Sequence, residues 1–400
     1  MDENNNINDG IAAVQNGAAD PNVNNKAEKT KFDALISFLK KSVKIMVIVT
    51  VASIILGVIS AISADFAEGY SRTVGRFLRM VLAKISGIFP FSIAETLLVA
   101  GAVLVIYSVI RMIYESVRNI PYERRYELVF SRIAIICLLA ALSLYNFAFS
   151  SANKRYPVER NFGLSRGELT AQQLYDCIVI VEDEIYKCLE EGDIRALPSG
   201  STIMPYSFEE CNARLNDIYK EASKKYPFID GFASKAKTVA LSELMTHTHI
   251  SGIYTPYTGE ININVNYPDY VTAFSMGHEM AHQRGIARED EANFVAFVVM
   301  YESDDVYLRY CALTELFSYL TDALYITDEE LFATAMYRCD DRILYEMIGF
   351  ADFFAPYESS PAASISESIN DASIKLRGDS AGTQSYDKMV ELAAAYFDID

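Results

Sequence analysis

The sequence predicts a mostly α-helical protein in which a three-helix transmembrane region is followed by a mainly helical water-soluble domain with a small β-sheet. Three observations carry this: long uncharged apolar runs confined to the first 153 residues, acidity confined to the remainder, and helical periodicity broken by one alternating stretch. Of 400 residues with a formal net charge of −18, the part up to Ser151 holds 15 Lys and Arg against 12 Asp and Glu, and the part after it 20 against 41. A surface this acidic excludes a nucleic-acid backbone as the main partner.

Residues 1–40 begin with Asn-rich and Gly/Ala stretches without apolar periodicity and read as a disordered tail. A transmembrane region over 41–153 follows, with spans at about 45–64, 90–110 and 133–153. The first, Ile45 to Ala64, carries no charge and is long enough to cross a hydrocarbon core of about 30 Å as one helix. Its start some forty residues in argues for an uncleaved anchor over a signal peptide. Glu95 stands near the start of the second span, within reach of the interface. The N-terminal flank and the loop after the second span hold 11 Lys and Arg, against 8 on the opposite side. The positive-inside rule then predicts a multi-pass cell-membrane protein with a cytoplasmic N-terminus and an extracytoplasmic C-terminal domain. Between the first two spans, Tyr70 to Ile88 sets Val74, Phe77, Leu78, Val81 and Leu82 at helical spacing among Arg72, Arg76, Arg79 and Lys84. It is either an amphipathic helix on the membrane surface or a connecting helix packed on the spans.

The soluble domain, 154–357, shows helical periodicity over Glu168–Glu191, Phe208–Lys225 and much of Asp290–Tyr345. Gly259 to Tyr267 instead alternates Ile261, Ile263 and Val265 with Asn262, Asn264 and Asn266, the period of a half-buried strand. A helix is expected from about Pro268. On it lies His278-Glu279-Met280-Ala281-His282. One helical turn separates the two imidazoles, so both project from one face and can bind one Zn²⁺, with Glu279 placed to act as general base. The bland alternative is two surface histidines beside a glutamate. Downstream, Gly285 ends the helix and a second helix offers Glu289 as third ligand, with Glu291 competing. Ala292 is small enough for close helix approach, and Asn293 is a candidate to support a zinc imidazole. Residues 358–400 read as a flexible segment with a short final helix.

His278-Glu279-x-x-His282 followed by Glu289-x-x-Ala292-Asn293 resembles the gluzincin arrangement of zinc peptidases, with a shorter separation between the two helices. Arg288 stands where metzincins place a third ligand. Over a longer stretch the chain is similar to a bacterial family of multi-pass membrane proteins of unassigned function, through Gly252–Glu260, Gly277–Gly285 and Glu289–Phe294. The resemblance implies a zincin-like domain. In zincins an edge strand beside the metal helix pairs with extended substrate, and the strand containing Gly259, Glu260, Asn262 and Asn264 occupies that place in the chain.

The expected function is membrane-anchored, zinc-dependent peptide-bond hydrolysis acting on a peptide or protein; the rival is a non-catalytic sensor or assembly factor with a zincin-like binding domain. Tyr254, Tyr257, Tyr301 and Arg309 are candidates to stabilise an oxyanion. His247 and His249 lack two further ligands and read as a polar loop or a substrate contact. The six cysteines contain no C-x-x-C, so a cysteine zinc site is unsupported. Substrate identity and oligomeric state are not legible.

Overall fold

The computed structural model describes residues 21–118, 126–376 and 388–399. Residues 1–20 of the expected tail and the basic loop around Arg124 and Arg125 lie outside them. The first helix, α1, runs Pro21–Ile62. Residues 21–40 are therefore helical where the sequence predicts disorder: once the apolar run nucleates a helix, the Lys, Ala, Glu and Leu residues before it propagate it at little cost. Short α2 (Ala64–Tyr70), capped by Ser63, and a π-helical turn (Ser71–Gly75) lead into α3 (Arg76–Ser86). Then come α4 (Ile93–Val117) and α5 (Tyr126–Asn153).

Two helical stretches are long and apolar enough to cross a membrane, Val43–Ile62 and Ile93–Val117, and almost none of either is buried. The sequence predicts three. The third falls on α5, where the apolar stretch among the described residues is the shorter Arg132–Leu144. α5 lies beside α1 and runs parallel to it, since Thr50 meets Ser143 (3.3 Å between hydroxyls) and Ser60 meets Ser151 (3.1 Å).

The soluble part consists of α6 (Val158–Phe162), α7 (Ala171–Glu191), α8 (Phe208–Lys225), β1 (Ala236–Thr238), α9 (Ser242–Thr246), β2 (Gly252–Thr255), β3 (Glu260–Ile263), α10 (Asp269–Gln283), α11 (Glu289–Tyr301), α12 (Val306–Thr327), α13 (Glu329–Arg338), α14 (Asp341–Phe354), α15 (Pro361–Leu376) and α16 (Lys388–Tyr396). Thr170 and Gln173 form a capping box at the start of α7, satisfying backbone donors the helix cannot. α10, α11 and α12 are buried on nearly all sides, and their apolar residues form one core with α7, α8 and α16. α15 corrects the expectation of a flexible segment over 361–376, and α16 is close to the expected final helix.

The sheet has the order β1-β3-β2, with β3 parallel to β1 and antiparallel to β2. The expected strand is thus real but shorter. It stops at Ile263 because Asn264 turns the chain: its side-chain oxygen accepts from the Asn266 N–H (3.1 Å) and its amide donates to Thr246 Oγ1 and the Ile250 carbonyl (3.0 Å each). β3 is also central, which removes the free edge that a substrate strand needs. Glu260, Asn262 and Asn264 are buried, so they line no wet cleft.

The boundary expected at 153/154 is crossed by many polar contacts. Glu260 accepts from Ile93 N (2.9 Å) and Ala94 N (2.7 Å) at the start of α4 and pairs with buried Lys237, whose ammonium donates to the Ser86 carbonyl (2.8 Å). Glu95 accepts from Ala240 N (3.0 Å) and Leu241 N (2.9 Å).

Candidate metal centre

α10 carries the first two candidate ligands, and its position is fixed at both ends. Asp269 accepts from Met204 N (2.8 Å) at the N-terminus. At the C-terminus Gly285 takes φ +94°, with Gly285 N bonded to the His282 carbonyl (2.9 Å) and Ile286 N to that of Ala281 (3.2 Å). That left-handed turn is open to glycine at no steric cost and ends the helix as the sequence predicts. Gly277 lets α11 approach, for a Cβ there would lie 2.8 Å from Met300 Sδ. Ala292, one turn after Glu289, is fully buried.

The turn brings Glu289, at the first position of α11, onto the histidines. Its Oε2 stands 3.3 Å from His278 Nε2 and 3.2 Å from His282 Nε2. These three form the one group of potential metal ligands among the described residues, all ligand atoms within 4.8 Å of one another. Two donors bound at about 2.0–2.2 Å to a tetrahedral zinc stand roughly 3.3–3.5 Å apart, so the spacing suits that ion. His282 Nδ1 lies 2.7 Å from the Ile286 carbonyl, which can only accept, so Nδ1 carries the proton. In neutral imidazole Nε2 is then an acceptor aimed at a carboxylate oxygen, a clash that only a shared proton or a cation resolves. His278 Nδ1 is buried with no hydrogen-bond partner.

Burial opposes ionisation of Glu289, but His282 and His278 outweigh it and hold the carboxyl well below the usual range. Glu279, one residue from His278, is buried beneath β2. Desolvation pushes its pKa up to about 7, against the lowering effects of His278 and of a hydrogen bond from the Tyr254 backbone. β2 touches it closely: a Cβ on Gly252 would lie 2.8 Å from Glu279 Cγ and 2.9 Å from Oε1.

Two expectations are corrected here. Glu291 faces away from the histidines. It accepts from Val158 N (3.3 Å), lies 3.7 Å from Arg288 and 3.9 Å from Arg166, and burial raises its pKa to about 7. Asn293 has no bond to either imidazole among the described contacts; its amide donates to Tyr319 Oη (3.3 Å). The Ile286 carbonyl does that work for His282, a contact invisible in sequence because any residue supplies a carbonyl. Arg309 pairs with Glu191 (3.0 Å), and Tyr301 stacks on Phe297, so neither faces the cluster. Tyr254 lies on β2 over Glu279. His249 bonds the Tyr357 carbonyl (2.9 Å) and His247 packs on the Tyr357 ring, apart from the metal group. All six cysteines are free. Burial pushes the Cys177 and Cys211 thiols up to about 12.

Arg284 also escaped the sequence reading. It is fully buried, donates to the Met280 and Phe232 carbonyls (3.0 Å each), and lies over the Tyr219 ring with its guanidinium carbon 4.2 Å from the centroid. It locks the end of α10 one residue before the turn that delivers Glu289.

The family described as Protein of unknown function (DUF3810) matches residues 70–394. The chain belongs to this family. The match spans α3, α4 and α5 as well as the helices that carry His278, His282 and Glu289, so the apolar N-terminal helices and the acidic part recur together in it. No curated protein and no solved structure matches the chain.

Proposed function

We propose that the protein is a membrane-held, zinc-dependent metallopeptidase. The observation that carries the reading is the convergence of His278, His282 and Glu289, with Glu289 Oε2 3.3 and 3.2 Å from the two Nε2 atoms and all ligand atoms within 4.8 Å of one another, beside the buried carboxyl of Glu279. Those three residues hold the metal. Zinc supplies Lewis acidity, bringing the pKa of water from about 16 toward 7. Glu279 accepts the proton released as water adds to the peptide carbonyl and returns it to the departing amine. The Ile286 carbonyl keeps His282 in the tautomer whose Nε2 faces the metal.

β2, at the edge of the sheet and over Glu279, takes the role of substrate strand in place of β3. An extended peptide pairing with its outer edge gains main-chain hydrogen bonds while its carbonyl approaches Glu279. α1 and α4 hold the protein in the bilayer. The soluble domain packs at the C-terminal end of α1 and the N-terminal end of α4, so a cytoplasmic start for α1 puts it on the outer side.

The test uses the full chain purified in detergent, with zinc content and cleavage of a broad peptide library measured together. The wild-type chain is expected to hold about one zinc per chain and to cleave; Glu279→Gln is expected to hold the same zinc and lose at least about 100-fold in turnover. Zinc bound without cleavage by the wild-type chain would move the reading to a non-catalytic binding domain, and absence of zinc would end both.

A further inference from the structure

Helix α3 is built inside out for a helix in water. Its inward positions, with those of the π-helical turn before it that holds Val74 and Gly75, are small or polar: Gly75, Ala83 and Ser86 are buried, and Arg79 reaches Asp230 (3.0 Å) and the Arg284 carbonyl (3.4 Å). The apolar side chains point outward at i, i+3, i+4 and i+11, with Val74 51%, Phe77 59%, Leu78 46% and Ile85 52% exposed. A helix whose apolar stripe faced a protein core would show the reverse. The stripe continues through exposed Ile88, Phe89 and Phe91 into Leu97 and Leu98 of α4, a candidate span. Lys84, exposed, flanks the stripe and suits a lipid phosphate, while Arg76 on the same flank is half exposed and pairs with Asp230 (3.4 Å). Nothing in the described residues covers this face, and its continuity with α4 names the occupant.

We propose that α3 lies in the plane of the membrane, its apolar face in the headgroup–acyl boundary of the bilayer that α4 crosses; this rests on the reading of α1 and α4 as spans and is independent of the peptidase reading. The opposite face of α3 carries the site. A Cβ on Gly259, in the turn before β3, would lie 2.7 Å from Ala83 N, and one on Gly285, in the turn between the ligand helices, 2.8 Å from the Arg79 guanidinium. The turn that joins His282 to Glu289 therefore sits about one helix diameter, roughly 10 Å, from the lipid face of α3.

The chain contains no tryptophan, so single tryptophans report without background. Phe77→Trp, Leu104→Trp in α4 and Tyr337→Trp, exposed on α13, are each placed in the full chain. Each is reconstituted in phosphatidylcholine–phosphatidylglycerol vesicles carrying bromine at either the headgroup end or the methyl end of the acyl chains. Phe77→Trp is expected to lose about half its emission to the shallow bromine and little to the deep one, as for a face buried about 5–10 Å. Leu104→Trp is expected to be quenched by the deep bromine, with Tyr337→Trp giving the unquenched baseline. Leu78→Trp repeats the measurement should Phe77→Trp fail to fold. Quenching of Leu104→Trp with Phe77→Trp and Leu78→Trp at baseline overturns this proposal alone. Leu104→Trp unquenched by both lipids overturns the membrane reading and the proposal with it.

Discussion

Residues 289 and 291 differ by about 200° around a helix, so only one of the two carboxylates can face the histidines once the phase of α11 is set. Glu289 is the one that does. Glu289→Ala is expected to lower zinc affinity by at least about 100-fold, more than the loss typical of a supporting residue. Glu291→Gln, which removes a charge held by Arg288, Arg166 and Val158 N, is expected to leave zinc bound. Zinc content after dialysis against a chelator series checks both, and equal retention by Glu289→Ala would remove it from the ligand set. The sequence identified His278, Glu279, His282 and the glycine turn because spacing along one helix fixes direction. It could not choose the third ligand, because that choice depends on the angle at which a second helix leaves Gly285. Nor could it place Asn293, whose amide finds Tyr319 on α12, a neighbour no spacing rule encodes.

At the scale of elements, the apolar helices and the alternating Ile261-Asn262-Ile263 stretch were legible because run length and a period of 2 name the element type, but burial was not, since Asn262 is as buried as its neighbours. The place of β3 within the sheet was not. Its partners are three and four residues long, too short to show a period, and the β1–β3 pairing joins segments about 25 residues apart. Centrality of β3 leaves β2 as the edge strand over Glu279, and Gly252 is its residue in closest reach of that carboxyl. Gly252→Ala puts a methyl group against the Glu279 carboxyl, at 2.8 Å from Cγ, well inside van der Waals contact. Displacing the base by about 1 Å is expected to cost on the order of 100-fold in kcat with zinc content and fold unchanged. Circular dichroism, zinc analysis and peptide cleavage on the same preparation check this, and undiminished cleavage would show that β2 does not position Glu279.

Across the whole molecule, the apolar N-terminal part and the acidic part that follows are joined by polar contacts as well as by the chain. Asp230 holds Arg79 (3.0 Å) and Arg76 (3.4 Å); Arg155, just beyond α5, bonds Glu68 in α2 (3.3 Å) and the Gly285 carbonyl (3.0 Å). The family match starting at residue 70 takes in these residues except Glu68. Charge counts along the sequence saw a boundary because composition changes at residue 151, but side chains pair across it. The Lys237–Glu260 pair lies at the centre of the joint, with side chains 1% and 0% exposed. Removing one partner of a buried pair costs about 3–5 kcal/mol, because the other charge is left in a medium of low dielectric. Lys237→Met is therefore expected to lower the Tm of the full chain in detergent and to loosen α3 and α4 from the sheet. Lys237→Met combined with Glu260→Gln removes both charges while an amide oxygen remains to accept from Ile93 N or Ala94 N, and should recover most of the loss. If the single variant melts with the wild-type chain, the ion pair contributes nothing to the joint; if the double variant melts no higher than the single one, the loss came from packing and not from a stranded charge.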